Sequence, residues 1–484
     1  MFTSVPVHRH VSPGLLAATL VFLAVQSTAV ASLGTPLLPT VQRAEHVSLA
    51  ASQWTLTITL LAGSVATPLM GRLGDGRLRR RTTVGAVAVM LAGCVLSALP
   101  VGFGVFLAGR ALQGAGLGLV PLATAVARDN LPSDRSRSAI VLIGVTTAAG
   151  IGLGYPLVGL LAQGLGLYAP FWFAAGLSAL ALAAAQLALP GSPARRAPLD
   201  AAGAVLLGAG IAGLLLVLTQ GPAWGWTSAA TLAGAVVSAA LLAAWAGWEL
   251  RARHPLINLR LLRRRAVLAA NLTAFLIAIG FYPLASLVVR FAQTPPAAGY
   301  GLGAPVVVAA AMLTPFSLAS FAASKFAAKA ARRTSAELVV ALSCALLIAS
   351  MVLFLFARGS YPGIVAVMAL NGLGVGSAYA VNPLQITGGV PAAETGSAIS
   401  FYQLVRTVAY AIGSALSATV LVLATPAGHR FPADSGYRSA ALVSTAVLAA
   451  ALIASSLFAW PKGGTDGRTG LGQRLSGRRG DPAP

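Results

Sequence analysis

Fourteen stretches of mostly apolar residues, each long enough to cross a bilayer, follow one another along this 484-residue chain. They lie near 13–38, 50–71, 82–100, 103–126, 138–163, 170–189, 199–220, 228–249, 266–290, 302–324, 336–357, 361–385, 396–424 and 438–460. A helix of about 20 apolar residues spans the hydrocarbon core. Backbone N–H and C=O groups cannot go unpaired in lipid, so only helices or a closed barrel can span it. Barrel strands alternate in polarity and are short; these runs do neither. The expected fold is therefore an all-α membrane protein with fourteen transmembrane helices. Composition removes the soluble alternative. Charged residues make up 9%, where a soluble surface needs roughly a quarter.

The net charge of +22 raises the question of nucleic acid, but the basic residues sit in short loops between apolar runs, where topology accounts for them. With the N-terminus placed inside, the outer segments hold only Arg43, Arg358, Arg430 and Arg438. Arg110, Arg290 and Arg406 fall within or at the edge of spans, and the rest of the 33 Lys and Arg lie in inside segments. That asymmetry predicts an inner-membrane protein with both termini cytoplasmic and an even number of spans. The lipid bilayer is the expected partner, and nucleic acid is not. The start of the chain, with His8-Arg9-His10 and then Ala29-Val30-Ala31, resembles a cleavable leader. The apolar run continues to Leu38, however, and reads as a first span.

The spans divide as six, two and six. Residues 1–190 are expected to form an N-terminal six-helix bundle, 191–265 an inserted helix pair with a basic loop, and 266–460 a C-terminal six-helix bundle. A Gly- and Arg-rich cytoplasmic tail at 461–484 is expected to be disordered. Two bundles that rock around a shared cavity are the physical basis of alternating access.

Three segments carry chemistry. The loop after the second span reads Gly71-Arg72-Leu73-Gly74-Asp75-Gly76-Arg77-Leu78-Arg79-Arg80-Arg81. One acid among five arginines at a helix end can act as a cytoplasmic latch; the plainer reading is positive-inside charge. The fourth span contains Gly109-Arg110-Ala111-Leu112-Gln113-Gly114. An arginine inside a span is costly and marks function, unless it snorkels to the interface. The fifth span, Gly150-Ile151-Gly152-Leu153-Gly154-Tyr155-Pro156-Leu157-Val158-Gly159, combines a Gly-x-x-x-Gly face with a proline that opens the helix ladder. That combination suits a pivot; packing alone is the alternative.

These segments resemble motifs of the major facilitator superfamily, in particular its fourteen-spanner drug:proton antiporter branch. Gly71, Leu73, Gly74, Asp75, Arg79 and Arg80 match the family's loop between helices 2 and 3, whereas Gly76 and Leu78 depart from it. Arg110, Gln113 and Gly114 are similar to its proton-coupling motif, and Gly150, Gly154, Pro156 and Gly159 to its antiporter motif. Gln220-Gly221-Pro222-Ala223-Trp224-Gly225-Trp226, Glu394-Thr395-Gly396 and Arg406-Thr407-Val408 extend the likeness across the chain. The resemblance implies export of small hydrophobic or amphipathic compounds, with protons as the coupling partner, by a monomer without a cofactor. In that branch an Asp in the first span is common; Gln26 stands in its place here.

No acid lies in mid-span. Asp75, Asp200 and Glu394 at span edges are therefore the candidate coupling acids, with an uncoupled facilitator or a nutrient importer as alternatives. The expected substrate cavity draws on Gln26, Tyr155, Asn271, Tyr282, Asn371, Asn382, Gln403 and Arg406, each of which could equally tie helices together. The five histidines lie outside mid-span, and Cys94 and Cys344 sit far apart in apolar runs. Neither a metal site nor a disulfide is expected. An enzyme or receptor, the competing class, would need a nucleophile–base pair or a metal cluster, and none emerges.

Overall fold

The computed structural model describes residues 12–459 apart from 75–76, 192–199, 254, 256, 391–394, 427 and 430. For residues 68, 71–72, 137, 141, 144–153, 219, 222–223, 261, 263, 328, 332, 387–388, 395–397, 400 and 458–459 it describes the backbone alone. The expected tail at 461–484 and Asp75 of the latch lie outside the described residues.

Every regular element described is a helix. In order they are α1 (Pro13–Ala31), α2 (Leu38–Ala44), α3 (Leu49–Gly74), α4 (Arg79–Ala98), α5 (Phe103–Gln113) and α6 (Leu119–Asn130). There follow α7 (Ser133–Leu165), α8 (Ala169–Ala188), α9 (Ala201–Trp224), α10 (Ala229–Arg251), α11 (Arg265–Phe281) and α12 (Pro283–Gln293). The chain ends with α13 (Val306–Ala311), α14 (Thr314–Arg333), α15 (Ala336–Ala357), α16 (Tyr361–Gly389), α17 (Thr395–Leu423) and α18 (Asp434–Ala459). Among the described residues, 13 helical runs have the length and apolarity to cross a membrane. The 33-residue α7 stands where the fifth span is expected. The all-α membrane class is as the sequence predicts.

Four expected spans are not single helices. The first breaks into α1 and α2 around the 3-10 turn Thr35–Leu37, where Pro36 has no N–H to give the ladder. The fourth breaks at the 3-10 turn Gly114–Gly118. The ninth bends at Pro283 and the tenth before Pro315. Helix starts are fixed by side-chain caps: Asp200 Oδ1 accepts from the Gly203 N–H at 2.8 Å, and Ser228, Ser335 and Ser360 do the same for α10, α15 and α16.

Two large cores form. One joins side chains from Leu16 to Leu189, and the other joins mainly side chains from Ile277 to Ala451. The two halves meet where α3 packs on α17 and α7 packs on α13 and α14. Helix α9 lies against both α3 and α17, and α10 packs on α9. A smaller cluster of Leu60, Leu207, Ile211, Leu215, Leu404 and Ala411 binds this arrangement together. The pair α9–α10 thus flanks the α3–α17 seam.

Candidate functional site

The described ion pairs sit at helix ends, namely Arg79–Asp129 (2.8 Å), Arg128–Asp129 (3.1 Å), Arg358–Asp434 (2.8 Å) and Arg438–Asp434 (3.0 Å). Arg110, Arg290 and Arg406 are different. None has a carboxylate partner among the described residues, and all three lie at or near the meeting of the two halves.

Arg110 is 2% exposed at the C-terminal end of α5. Its Nε donates to the Thr55 carbonyl at 3.1 Å and its Nη1 to Gln113 Oε1 at 2.5 Å. Gln113 in turn donates through Nε2 to the Gly93 carbonyl (3.1 Å) and to Ser97 Oγ (3.2 Å). Arg110 and Gln113 share a face by their three-residue spacing. The neighbouring Gly114 lets α3 come close: a Cβ there would sit 2.5 Å from the Thr59 carbonyl and 2.8 Å from Ala62 Cβ. The expected trio is thus one unit, clamped between α3 and α4. The Phe171 ring lies 5.9 Å from the Arg110 guanidinium.

Arg406, near the middle of α17, is held by side chains. Nε and Nη2 both donate to the Tyr410 hydroxyl (3.1 and 2.7 Å), and Nη1 donates to Gln403 Oε1 (3.1 Å). The guanidinium lies 3.7 Å from the centre of the Tyr379 ring and 5.3 Å from that of Tyr402. Tyr282 stacks on Tyr410 with centroids 4.8 Å apart, and Phe281 meets Tyr410 edge-on. Tyr155 on α7 and Tyr282 both pack against the core of the second half. Of the residues expected to share a cavity, Tyr282, Gln403 and Arg406 are gathered here, and Tyr155 packs against the same core. Of the others, Gln26 donates to Ser178 Oγ on α8 (2.7 Å), Asn271 donates to its own helix at Val267 (2.8 Å), and Asn371 and Asn382 are buried.

Arg290 was visible in the sequence only as an arginine at a span edge. It is 5% exposed and crosses between the halves, donating to Gln42 Oε1 (3.4 Å), Ser52 Oγ (3.0 Å) and Gln53 Oε1 (3.2 Å). Gln53 donates to Ser414 Oγ on α17 (2.8 Å), Arg43 to Gln293 (3.4 Å), and the Val307 N–H to Gln163 (3.3 Å). These bonds close the two halves on each other at the end opposite the basic loops. Removing the Arg290 guanidinium should loosen that closure. In an Arg290→Ala, Ser414→Cys protein, an impermeant maleimide applied from that side should label Cys at 414 several-fold faster than in Ser414→Cys alone. Equal rates would mean that Arg290 carries none of the closure. The native Cys94 and Cys344 are buried and serve as an internal blank.

In the basic loop, Arg79 finds its carboxylate on α6, at Asp129, and also donates to the Gly74 carbonyl. Arg80 donates to the carbonyls of Gln186 (2.6 Å) and Leu189 (3.1 Å) at the end of α8, where a cation suits the helix dipole. Gly71 and Arg72 close α3, with their side-chain surroundings undescribed. In the expected pivot, Pro156 lies inside α7, as does Gly150, whose surroundings are undescribed. Gly154 faces Ser32 at the end of α1, and Gly159 faces α13: added Cβ atoms would come 2.5 Å from Ser32 Oγ and 2.8 Å from Val307 Cα and Ala310 Cβ. Among the edge acids, Asp200 is committed to capping α9 and accepting from the Trp248 indole (2.9 Å), and Glu394 lies outside the described residues. Glu249, 2% exposed, accepts from Trp245 (3.0 Å).

The Major Facilitator Superfamily pattern matches residues 20–414. A tetracenomycin C resistance and export protein from Streptomyces glaucescens is 34% identical over 284 residues, 56% of this chain and 50% of that protein. The chain therefore spans about half the length of that relative. A uridine/deoxyuridine transporter from Lactococcus lactis subsp. cremoris is 26% identical over 387 residues, 74% of this chain and 79% of that one. In fold, the chain is similar to the POT family transporter PepTSo, with a TM-score of 0.66 at 16% identity over 92% of this chain and 97% of the other.

Proposed function

The chain belongs to the Major Facilitator Superfamily, a family of transporters and not of enzymes, and on that premise we propose that it exports small hydrophobic or amphipathic compounds by alternating access in exchange for protons. It does so as a monomer in the inner membrane, with both termini cytoplasmic, as the charge asymmetry of its loops favours. The observation that carries the reading is the Arg110–Gln113 pair, a cation buried beside the interface whose described hydrogen bonds go to a carbonyl and an amide. A charge kept in that setting is costly, and such groups mark ion and substrate pathways. Alternating access needs a closure that can open, and the Arg290 contacts supply one in which the cation bonds to neutral acceptors that water can replace. The basic loop at 71–81 and the α7–α13 contact at Gly159 act as latch and pivot. Export is favoured over uptake by the Streptomyces relative, whose name gives it a resistance and export role.

A second reading is transport of a nucleoside, favoured by the Lactococcus relative, which aligns over more of the chain. Everted membrane vesicles separate the two. Amphipathic aromatic compounds should accumulate inside when the lumen is acidified, and nigericin should abolish the accumulation. Uptake indifferent to the pH gradient would leave an uncoupled facilitator, and movement of uridine with none of the aromatic compounds would favour the second reading.

A further inference from the structure

We propose that the aromatic cluster around Arg406 is a binding site for planar aromatic substrates that carry a negative charge, and that it rejects lipophilic cations. The inference rests on the reading of the interface between the halves as the substrate path, and it adds the sign of the substrate's charge.

Each described hydrogen-bond partner of Arg406 is a neutral side chain, Tyr410 or Gln403, and its flat face lies over Tyr379. Ring faces and a phenol oxygen stabilise a guanidinium without cancelling its charge. The neighbouring segments lack acids. No Asp or Glu occurs between Glu249 and Glu337, between Glu337 and Glu394, or between Glu394 and Asp434. The helices α11, α12, α16 and α17, which bring Phe281, Tyr282, Tyr379 and Arg406 together, therefore contain no acid. On α7, which supplies Tyr155, the one acid is Asp134 in the first turn, far along the helix. In the first half, Arg110 is a buried cation, again without a carboxylate partner among the described residues. The field at this place is positive from both halves. In a low-dielectric setting such a field repels a cation and attracts an anion far more strongly than it would in water.

Tyr282 and Tyr410 form a stacked pair with Phe281 against its edge, which offers flat apolar walls beside the charge. Arg406, Gln403, Tyr282 and Tyr410 each retain partial exposure although they lie within spans. An anion leaving an inside-negative cell also moves down the membrane potential, so a positive site suits the export direction.

Two xanthene dyes of opposite charge test the proposal: fluorescein, a dianion at mildly alkaline pH, and pyronin Y, a cation. With purified protein, fluorescence anisotropy should show fluorescein binding at least about tenfold tighter than pyronin Y. Arg406→Gln should remove that preference, Arg406→Lys should keep part of it, and Tyr379→Leu should weaken fluorescein while leaving the sign of the preference unchanged. Proteoliposome uptake of the same dyes then tests the export reading separately. Binding of fluorescein without transport would sink export and leave the site standing. Binding or transport of pyronin Y as strong as that of fluorescein, or an unaltered preference in well-folded Arg406→Gln, would overturn the proposal.

Discussion

Arg110→Gln, brought to wild-type abundance in the membrane, is expected to cut export by roughly a hundredfold, equivalent to about 2.8 kcal/mol of lost coupling. The guanidinium is buried without a carboxylate among the described residues, and its described hydrogen bonds go to the Thr55 carbonyl and Gln113 Oε1. Insertion scales put an arginine at span depth at about 2.5–3.5 kcal/mol against the fold. A neutral donor would satisfy the same carbonyl without that cost, so the fold should survive the substitution. What Gln cannot supply is the positive charge buried against α3, the helix that meets α17 at the interface. Measuring export at two external pH values divides the outcomes. Loss at both values supports a coupling role; full activity at both would reduce Arg110 to a tie between α5 and α3 and favour an uncoupled facilitator.

The reach of sequence reasoning is visible in these same residues. Spans could be read because basic loops interrupt apolar runs, and the helices begin and end within a few residues of those loops. The breaks at Thr35–Leu37 and Gly114–Gly118 could not be read from hydropathy, which is blind to a lost ladder bond, although Pro36 and the glycine run were signals. Around Arg406, the contacts with Tyr402, Gln403 and Tyr410 follow from i−4, i−3 and i+4 spacing on a helix, whereas Tyr379 comes from another helix. Arg290 illustrates the limit: its partners Gln42, Ser52 and Gln53 lie more than 200 positions earlier in the chain, and no local pattern links them. Asp129, the partner of Arg79, is hidden for the same reason. Gln26 and Asn271, which bond to Ser178 and Val267, show the converse, since a polar residue in a span has the same appearance whether it faces a cavity or a helix.

Gly159→Leu should reduce transport at least about tenfold while leaving most of the protein folded. On α7, Gly159 sits where the two halves touch, and any side chain there points at the α13 backbone: a Cβ alone would come within 2.8 Å of Val307 Cα and 3.1 Å of the Val306 carbonyl. Backbone cannot step aside as a side-chain tip can, so α7 and α13 must separate. Overpacking of this kind costs typically about 1–3 kcal/mol. Here the cost falls on one conformation, the one closed at the Arg290 end, because a change that parts the halves relieves it. A shift of about 1.4 kcal/mol between two states is tenfold in population, which sets the expected size. Gly154→Leu is the internal comparison. Its Cβ would meet Ser32 of the same half, so it should harm folding more than it biases the two states. The measurement is export at matched abundance together with maleimide labelling of Ser414→Cys in each background. Faster labelling with lost export in Gly159→Leu identifies the contact as a pivot, and wild-type export with unchanged labelling would show that α7 and α13 need not come together during transport.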